Sequence, residues 1–536
     1  MKKIILTTIN AKWIHPSLAL RLLKVNLGSL EDSCEIIEFA LRQPLAEKLE
    51  PLLAALQPKG HGRILGISVS IWNHIATMEL LKELNKTWTA QNEQCKRPII
   101  VLGGPEVSHL PEDAEIFNYA DYVICGEGEI AFRQLCEKIL AGEQSDNKNK
   151  FINAENVDVC EIKTAYHLYT DEDLAKKLIY VESSRGCPFK CDFCLSAVKI
   201  EGREKGEGSR EKGEGSREKG EGSREKGEGN KEKGGGNREK WGVREFPLEQ
   251  FLTEMDMLIQ RGVRTFKFLD RSFNINTKRS LQIIEFFLEK INKTLNPSVS
   301  SAPASLRSKE RRENSSSNNS SSPFIVHFEM IPSLFQPEML DALSRFPPGT
   351  LRLEIGIQTL NPEVAAAINR PSDSEKELNN LRFLREKTNA IIHADLIAGL
   401  PGEDLLSFGK GFDSLWLALS GGNNLSEIQL GILKLLPGAP IVRHNDAFGM
   451  CYNSLPPYEI TENSAISANE INRIKNFARF WEIIVNRGLE CNVNPAEFHK
   501  PVFDKFLVFA DKLYNHFGRN WGIDKEELKI AVEKYL

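Results

Sequence analysis

"SSRGCPFKCDFCLSA", residues 183–197, places Cys187, Cys191 and Cys194 in one short loop, separated by three residues and then by two. Three thiolates can hold three corners of a [4Fe–4S] cluster whose full complement is four, which leaves one iron open to an outside ligand. A structural zinc site normally takes four ligands in CxxC-type pairs, and a redox CxxC needs only two cysteines. This spacing fits neither, and Gly186 and Pro188 suit a tight loop wrapped around a cluster. The other seven cysteines (Cys34, Cys95, Cys125, Cys136, Cys160, Cys451 and Cys491) are scattered and suggest no disulfide framework. A reducing cytoplasm is the expected location.

Strand candidates recur on both sides of this loop: "LIYVESS" (178–184), "RTFKFLD" (264–270), "FIVHFEM" (324–330), "LRLEIGIQT" (351–359), "AIIHADLIAG" (390–399) and "EIQLGILKLL" (427–436). Two low-complexity tracts interrupt them. Residues 201–240 carry a "REKGEGS" repeat with no apolar position and two glycines per unit, so its seven-residue period is no coiled coil. Residues 296–322 are rich in serine and asparagine, and both tracts are expected to be disordered insertions. With them set aside, 177–445 has room for six βα units of about 30 residues each. It is short for an eight-stranded barrel of about 250 residues. A six-stranded partial barrel is therefore expected, with its active groups at strand C-terminal ends. Asp270 and Arg271 close the second strand, though Asp270 would serve equally as a helix cap. Glu354 sits within an otherwise apolar strand with Gln358 near its end. Such a buried charge must point at a ligand or find a partner, a barrel arginine being the plain alternative.

Upstream, residues 1–142 alternate strand and helix signals, which predicts a doubly wound, flavodoxin-like parallel sheet. Ligands of such sheets bind beyond the strands' carboxyl ends. Ser68 and Ser70, Gly103, Gly104 and Pro105 of "GGPEVS", and Gly126, Glu127 and Gly128 of "GEGE" fall there. Glycines at these points are either plain turns or places where backbone approaches a bulky flat ligand. No glycine-rich dinucleotide fingerprint is present. Residues 143–176 read as a linker. Residues 446–536 read as a helical C-terminal domain in which Ile471, Ile474, Phe477, Ala478, Trp481 and Ile484 share one face.

The order of strand, "ISVSIWN", "GGPEVS", "GEGE" and three-cysteine loop resembles the cobalamin-binding radical SAM proteins, over 1–142 and most of 177–445. The resemblance implies a [4Fe–4S] cluster on Cys187, Cys191 and Cys194, with S-adenosylmethionine on the open iron and reductive cleavage to a 5′-deoxyadenosyl radical. It implies S-adenosylmethionine contacts at Phe193, Glu354, Gln358, Ile397 and Gly399, and cobalamin against the eight first-domain residues named above. Asp395 stands where the family's fifth-strand motif has its first glycine. The Asp-x-His-x-x-Gly pattern is absent: His15 of "INAKWIHPSLAL" lacks both the Asp and the Gly, and is read as a helix-start or packing residue.

Methyl transfer to an unactivated carbon is the leading outcome that this resemblance implies, with a small-molecule or peptide substrate and a reductant such as flavodoxin or ferredoxin. A tRNA-type methylthiotransferase is the alternative, weakened by the lack of a second three-cysteine set and of a basic RNA module. An iron–sulfur sensor with a vestigial cobalamin domain is the rival of another class. A net charge of −5 over 536 residues argues against a nucleic-acid partner. No apolar run approaches the roughly 18 residues of a membrane span.

Overall fold

The computed structural model describes residues 3–56, 63–90, 97–143, 149–197, 242–295, 324–421, 426–489 and 501–536. Both expected insertions lie outside the described residues. No described helix is long and apolar enough to cross a membrane.

The first sheet comprises β1 (Ile4–Asn10), β2 (Cys34–Ala40), β3 (Ile64–Ser68), β4 (Ile99–Gly103), β5 (Tyr122–Cys125) and β6 (Phe151–Asn153). All pairs are parallel, in the order β2-β1-β3-β4-β5-β6. Alternate residues of each strand enter opposite cores. Ile5, Leu65, Ile67, Ile100, Leu102 and Val123 pack on one side. Ile4, Leu6, Ile64, Val101 and Ile124 pack on the other. Burial on both faces is what a helix-covered parallel sheet requires. The chain reverses direction across the sheet between β1 and β3, the place where such folds bind ligands. One difference from expectation concerns 143–176. This stretch is not only a linker: β6 adds to the sheet edge through Val123↔Phe151 and Cys125↔Asn153. Three residues after a polar run leave too short a pattern to read as a strand.

The second sheet is β7 (Ile179–Val181), β10 (Thr265–Phe268), β11 (Ile325–Met330), β12 (Leu351–Gln358), β13 (Ile391–Ala398) and β14 (Ser426–Ile432). It too is parallel, in the order β14-β13-β12-β11-β10-β7. A small antiparallel pair, β8 (Ser184–Arg185) with β9 (Arg244–Glu245), leaves the end of β7. Among the described residues the sheet is open, with six strands and no closure. Its outward residues, including Phe266, Phe328, Leu353, Ile355, Ile392 and Leu396, are fully buried under helices. Its inward residues are half-buried and mostly polar: Lys267, His327, Glu329, Glu354, His393 and Asp395.

The C-terminal part is helical as expected. Helix Ala468–Trp481 starts at a capping box formed by Ser467 and Glu470. Phe477 and Trp481 meet Phe412 of the last barrel helix edge to face, with centroids 5.1 and 4.9 Å apart, so these aromatics are core. A further hairpin, β15 (Cys451–Tyr452) with β16 (Ile460–Glu462), precedes that helix. It arches back to the first domain, where Tyr458 donates to the buried carboxylate of Glu106 at 2.7 Å.

Candidate functional site

The three-cysteine loop is fastened on both sides. Before it, Asp270 at the end of β10 accepts from Ser183 Oγ (2.6 Å), Ser184 Oγ (2.7 Å) and Ser183 N (2.9 Å). Asp270 is therefore neither a ligand group nor a helix cap. It pins the chain entering the loop, and burial pushes its carboxyl up even against those donors. Within the loop, Asp192 is 1% exposed. It meets His444 Nε2 at 2.8 Å, Arg443 Nη2 at 2.5 Å and Asn369 Nδ2 at 3.1 Å. Its own amide donates to Ile368 O, and its carbonyl accepts from Ile441 N.

Cys187 and Cys194 are half-buried and Cys191 is buried. Burial pushes the Cys191 thiol up, while Arg370, with Nη1 4.0 Å from the sulfur, opposes that rise. A cation beside buried thiols favours the thiolate that iron needs. Among the described residues no three His, Cys, Asp or Glu side chains converge on one point as a single ion requires. Convergence is not needed for a cluster, where each thiolate takes a different iron. The donor set thus fits a three-thiolate cluster, with the Arg370 guanidinium beside it. Arg370 also donates to Gly356 O at the bulge in β12. Two residues on, Gln358 has φ +69°, an uncommon conformation for a residue with a side chain. Such outliers are held only where the surroundings over-determine them, and they gather at functional sites.

The inner face of the second sheet continues the site downward. Glu354 pairs with Lys267 (3.4 Å) and His327 (3.3 Å), not with an arginine. These partners hold its carboxyl near 2, with His327 the largest influence. Burial lifts Glu329 to about 7 and Asp395 to about 8. Of the other expected contacts, Ile397 shares the inner face with Asp395. Gly399 has φ +88°, and a Cβ there would lie 2.5 Å from Ile460 Cγ2 of β16. Phe193 is half-buried against the main core.

Between the two domains lies a cavity of about 540 Å³. Seven of the eight expected first-domain residues line it: Ser68, Gly103, Gly104, Pro105, Gly126, Glu127 and Gly128. Ser70 does not; its amide donates to Asn73 Oδ1 at 2.8 Å, at the start of a helix. Gly104 has φ +104°, and a Cβ would sit 2.5 Å from Val69 O, so only glycine lets the backbone form this wall. The opposite wall comes from the second domain and includes Glu182, Arg185, Leu195, Ser196, Leu269 and Arg271. Leu195 and Ser196 directly follow the last cysteine. The rest of the lining is largely apolar: Leu6, Leu18, Leu22, Leu23 and Phe132. Apolar walls with close backbone approaches fit a broad, flat organic cofactor.

His15 is not in this cavity. Its Nδ1 meets Tyr180 Oη at 2.8 Å, a packing contact between the domains. The imidazole that lines the cavity is His109, against which Gly438 packs; a Cβ at Gly438 would lie 2.7 Å from that ring. Asp192, Arg185, Arg370 and His109 were not singled out from the sequence. Only Arg370, a lone basic residue after an "EIGIQT" strand and a short helix, left any signal there.

Residues 181–410 match the model of the radical SAM superfamily. The cobalamin-dependent radical SAM methyltransferase TokK of Streptomyces tokunonensis is 21% identical over 403 residues, covering 70% of this chain and 48% of that one. An uncharacterised methyltransferase of Pyrococcus horikoshii, PH0819, is 25% identical over 202 residues, covering 34% of this chain and 36% of the relative. The chain thus spans less than half the length of these curated relatives. Among solved structures, the cobalamin-dependent S-adenosylmethionine radical enzyme OxsB with aqua-cobalamin and S-adenosylmethionine bound superposes with a TM-score of 0.58. It has 14% identity and covers 99% of this chain and 78% of that one. At that identity the likeness is one of fold, and it extends across both domains.

Proposed function

We propose that the chain, whose residues 181–410 match the model of the radical SAM superfamily, is a cobalamin-dependent radical SAM enzyme that methylates an unactivated carbon. The observation that carries this reading is the shared cavity. The carboxyl-end loops of the first sheet and the tail of the cysteine loop face each other across it. One domain's ligand would therefore lie beside the other's.

Cys187, Cys191 and Cys194 would hold a [4Fe–4S] cluster, which supplies one electron for cleavage of S-adenosylmethionine. Arg370, beside Cys191, and Glu354, the inner-face acid held ionised, would meet the carboxylate and amino groups of S-adenosylmethionine with opposite charges. Gly103, Gly104, Pro105 and Gly126 would hold cobalamin, which supplies a methyl carrier. The protein's own part is orientation: Asp270 and Asp192 fix the cysteine loop, and the apolar walls exclude water. The names of TokK and OxsB, with their cobalamin dependence, support the assignment. The reductant is an external one-electron donor of the flavodoxin or ferredoxin kind.

The test is anaerobic reconstitution with iron and sulfide, then loading with hydroxocobalamin. Under reduction the protein is expected to release 5′-deoxyadenosine from S-adenosylmethionine and to retain cobalamin through gel filtration. Cys191→Ala should lose both iron and release. Cys136→Ala, at a buried thiol that burial pushes far up, should keep both. Release from a wild-type protein that retains no cobalamin would reduce the reading to radical SAM chemistry alone.

A further inference from the structure

The cavity wall nearest Cys187 is held by charge. Arg185, two residues before that cysteine, has 12% of its side chain exposed. Its guanidinium meets Glu182 at 2.8 Å, Glu129 at 2.8 Å and Glu127 at 3.6 Å. The last two belong to the first domain, at the start of helix Gly128–Ala141. Glu127 is also held by Arg244, whose Nη1 donates to it at 2.8 Å and to Val157 O at 2.6 Å. Arg244 is the strand partner of Arg185, so the two guanidiniums stand side by side in β8 and β9. Gly186 seals the pair: a Cβ there would lie 2.1 Å from Gly242 O.

Three carboxylates meet two guanidiniums in a partly buried site, so each ion depends on the others. Burial alone would raise the Glu127 carboxyl, but the Arg244 hydrogen bond and the Arg185 charge hold it below its usual range. Glu127, at the cavity edge, thus has its carboxylate engaged by Arg244, Arg185 and the Val157 amide. The network is also a direct polar link between the segment leading into the cysteine loop and the glycine loop of the first domain.

We infer that Arg185 and Arg244 are positioning residues: through Glu127 they lock the entry of the cysteine loop to the loop at 126–128 and so fix the distance between cluster edge and first-domain ligand. The inference rests on the proposed function for what occupies the two sides, but the latch itself is a property of the chain. Misplacing reacting partners by about 1 Å is worth roughly a hundredfold in rate, which is why such a link matters.

The protein reconstituted with iron and sulfide and loaded with hydroxocobalamin is compared with Arg244→Gln, Glu127→Gln, the double variant and Arg244→Lys. Iron content, hydrogen exchange of 126–130 and 184–187, and relaxation of the Co(II) electron paramagnetic resonance signal by the reduced cluster are read. Arg244→Gln is expected to keep its iron and to raise exchange in both segments together by about tenfold, the usual scale for losing a coupled network contact. The double variant should add little, relaxation should weaken, and Arg244→Lys should restore part of each. Exchange that rises in one segment only, additive effects in the double variant, or unchanged relaxation would overturn the inference. Should Arg244→Gln lose its iron, Glu127→Gln, which removes the charge that Arg244 and Arg185 share, decides by the same readings. A wild-type protein that binds no cobalamin, with the exchange pattern as expected, would remove the cobalamin assignment and leave the latch standing.

Discussion

Asp192 Oδ2 lies 2.8 Å from His444 Nε2, 252 positions away in the chain. Asp192 sits between two cysteines of the loop, and His444 follows the last barrel strand. The contact therefore closes the loop onto the far end of the open sheet. Replacing Asp192 by Asn removes the buried carboxylate that holds half-exposed Arg443 and largely buried His444. Solvent screens the Arg443 charge, so the cost is about 1–3 kcal/mol, mostly from the buried hydrogen bonds. Asp192→Asn is expected to melt earlier and to retain less iron after anaerobic reconstitution. His444→Ala should cost about 1 kcal/mol, because Arg443 and Asn369 still hold the carboxylate. Equal effects of the two changes would show that Asp192 is not the hub.

Asp395 predicts a pH dependence. Its folded value is lifted to about 8, first by burial and then by Glu354 and Glu329. Unfolded, it titrates near 4. Between those values the folded protein holds a proton that the unfolded chain releases. Stability is then fully present below about pH 4 and falls as pH rises toward 8. Asp395→Asn removes that loss. Melting temperatures of the variant and parent should separate as pH is raised from 5 to 8, with the variant the more stable. Parallel curves would mean that Asp395 is ionised throughout.

The parts of this molecule that were legible in its sequence are those carried by local pattern. Six apolar stretches announced the second sheet, because alternate residues such as Leu353 and Ile355 must face the helices while Glu354 does not. The glycine-bearing turns after β4 and β5 marked one cavity wall because a backbone wall needs them. What stayed hidden is held by long-range charge. Arg185 beside a cysteine loop looks like an ordinary loop arginine until Glu127 arrives from another domain. Glu354 was recognisable as costly, yet its partners Lys267 and His327 lie on two other strands, and nothing local selects them over an arginine. Strand β6 and the hairpin β15–β16 were missed for want of length, three residues or fewer per strand.

That second hairpin carries its own prediction. Tyr458 has φ +55°, and its hydroxyl donates to Glu106 Oε1 at 2.7 Å, where His74 Nδ1 also lies at 2.7 Å. Glu106 is 3% exposed and belongs to the "GGPEVS" wall. A hydrogen bond to a buried charged group contributes about 1.5–3 kcal/mol. Tyr458→Phe is expected to lower the unfolding free energy obtained from urea titration by an amount in that range and to open 449–460 to protease. A variant cut no faster than the parent would mean the hairpin docks by packing alone.

Gly186 and Gly262 allow strain and collision to be separated. Both have positive φ, +94° and +99°. A side chain in the left-handed region costs about 1–2 kcal/mol whatever surrounds it. At Gly262 nothing lies within 4 Å of a new Cβ, so Gly262→Ala should lose only that amount and keep its full iron content. At Gly186 the Cβ would stand 2.1 Å from a backbone oxygen, Gly242 O, which cannot rotate away as a side chain can. The β8–β9 pair must then part, and Cys187, the next residue, moves with it. Gly186→Ala is therefore expected to exceed the loss at Gly262 and also to lower bound iron and the absorbance of the reconstituted cluster. Comparing iron per chain in the two variants checks this. Full iron in Gly186→Ala, with a melting loss no greater than that of Gly262→Ala, would mean that the loop does not depend on the pairing that carries Arg185 and Arg244.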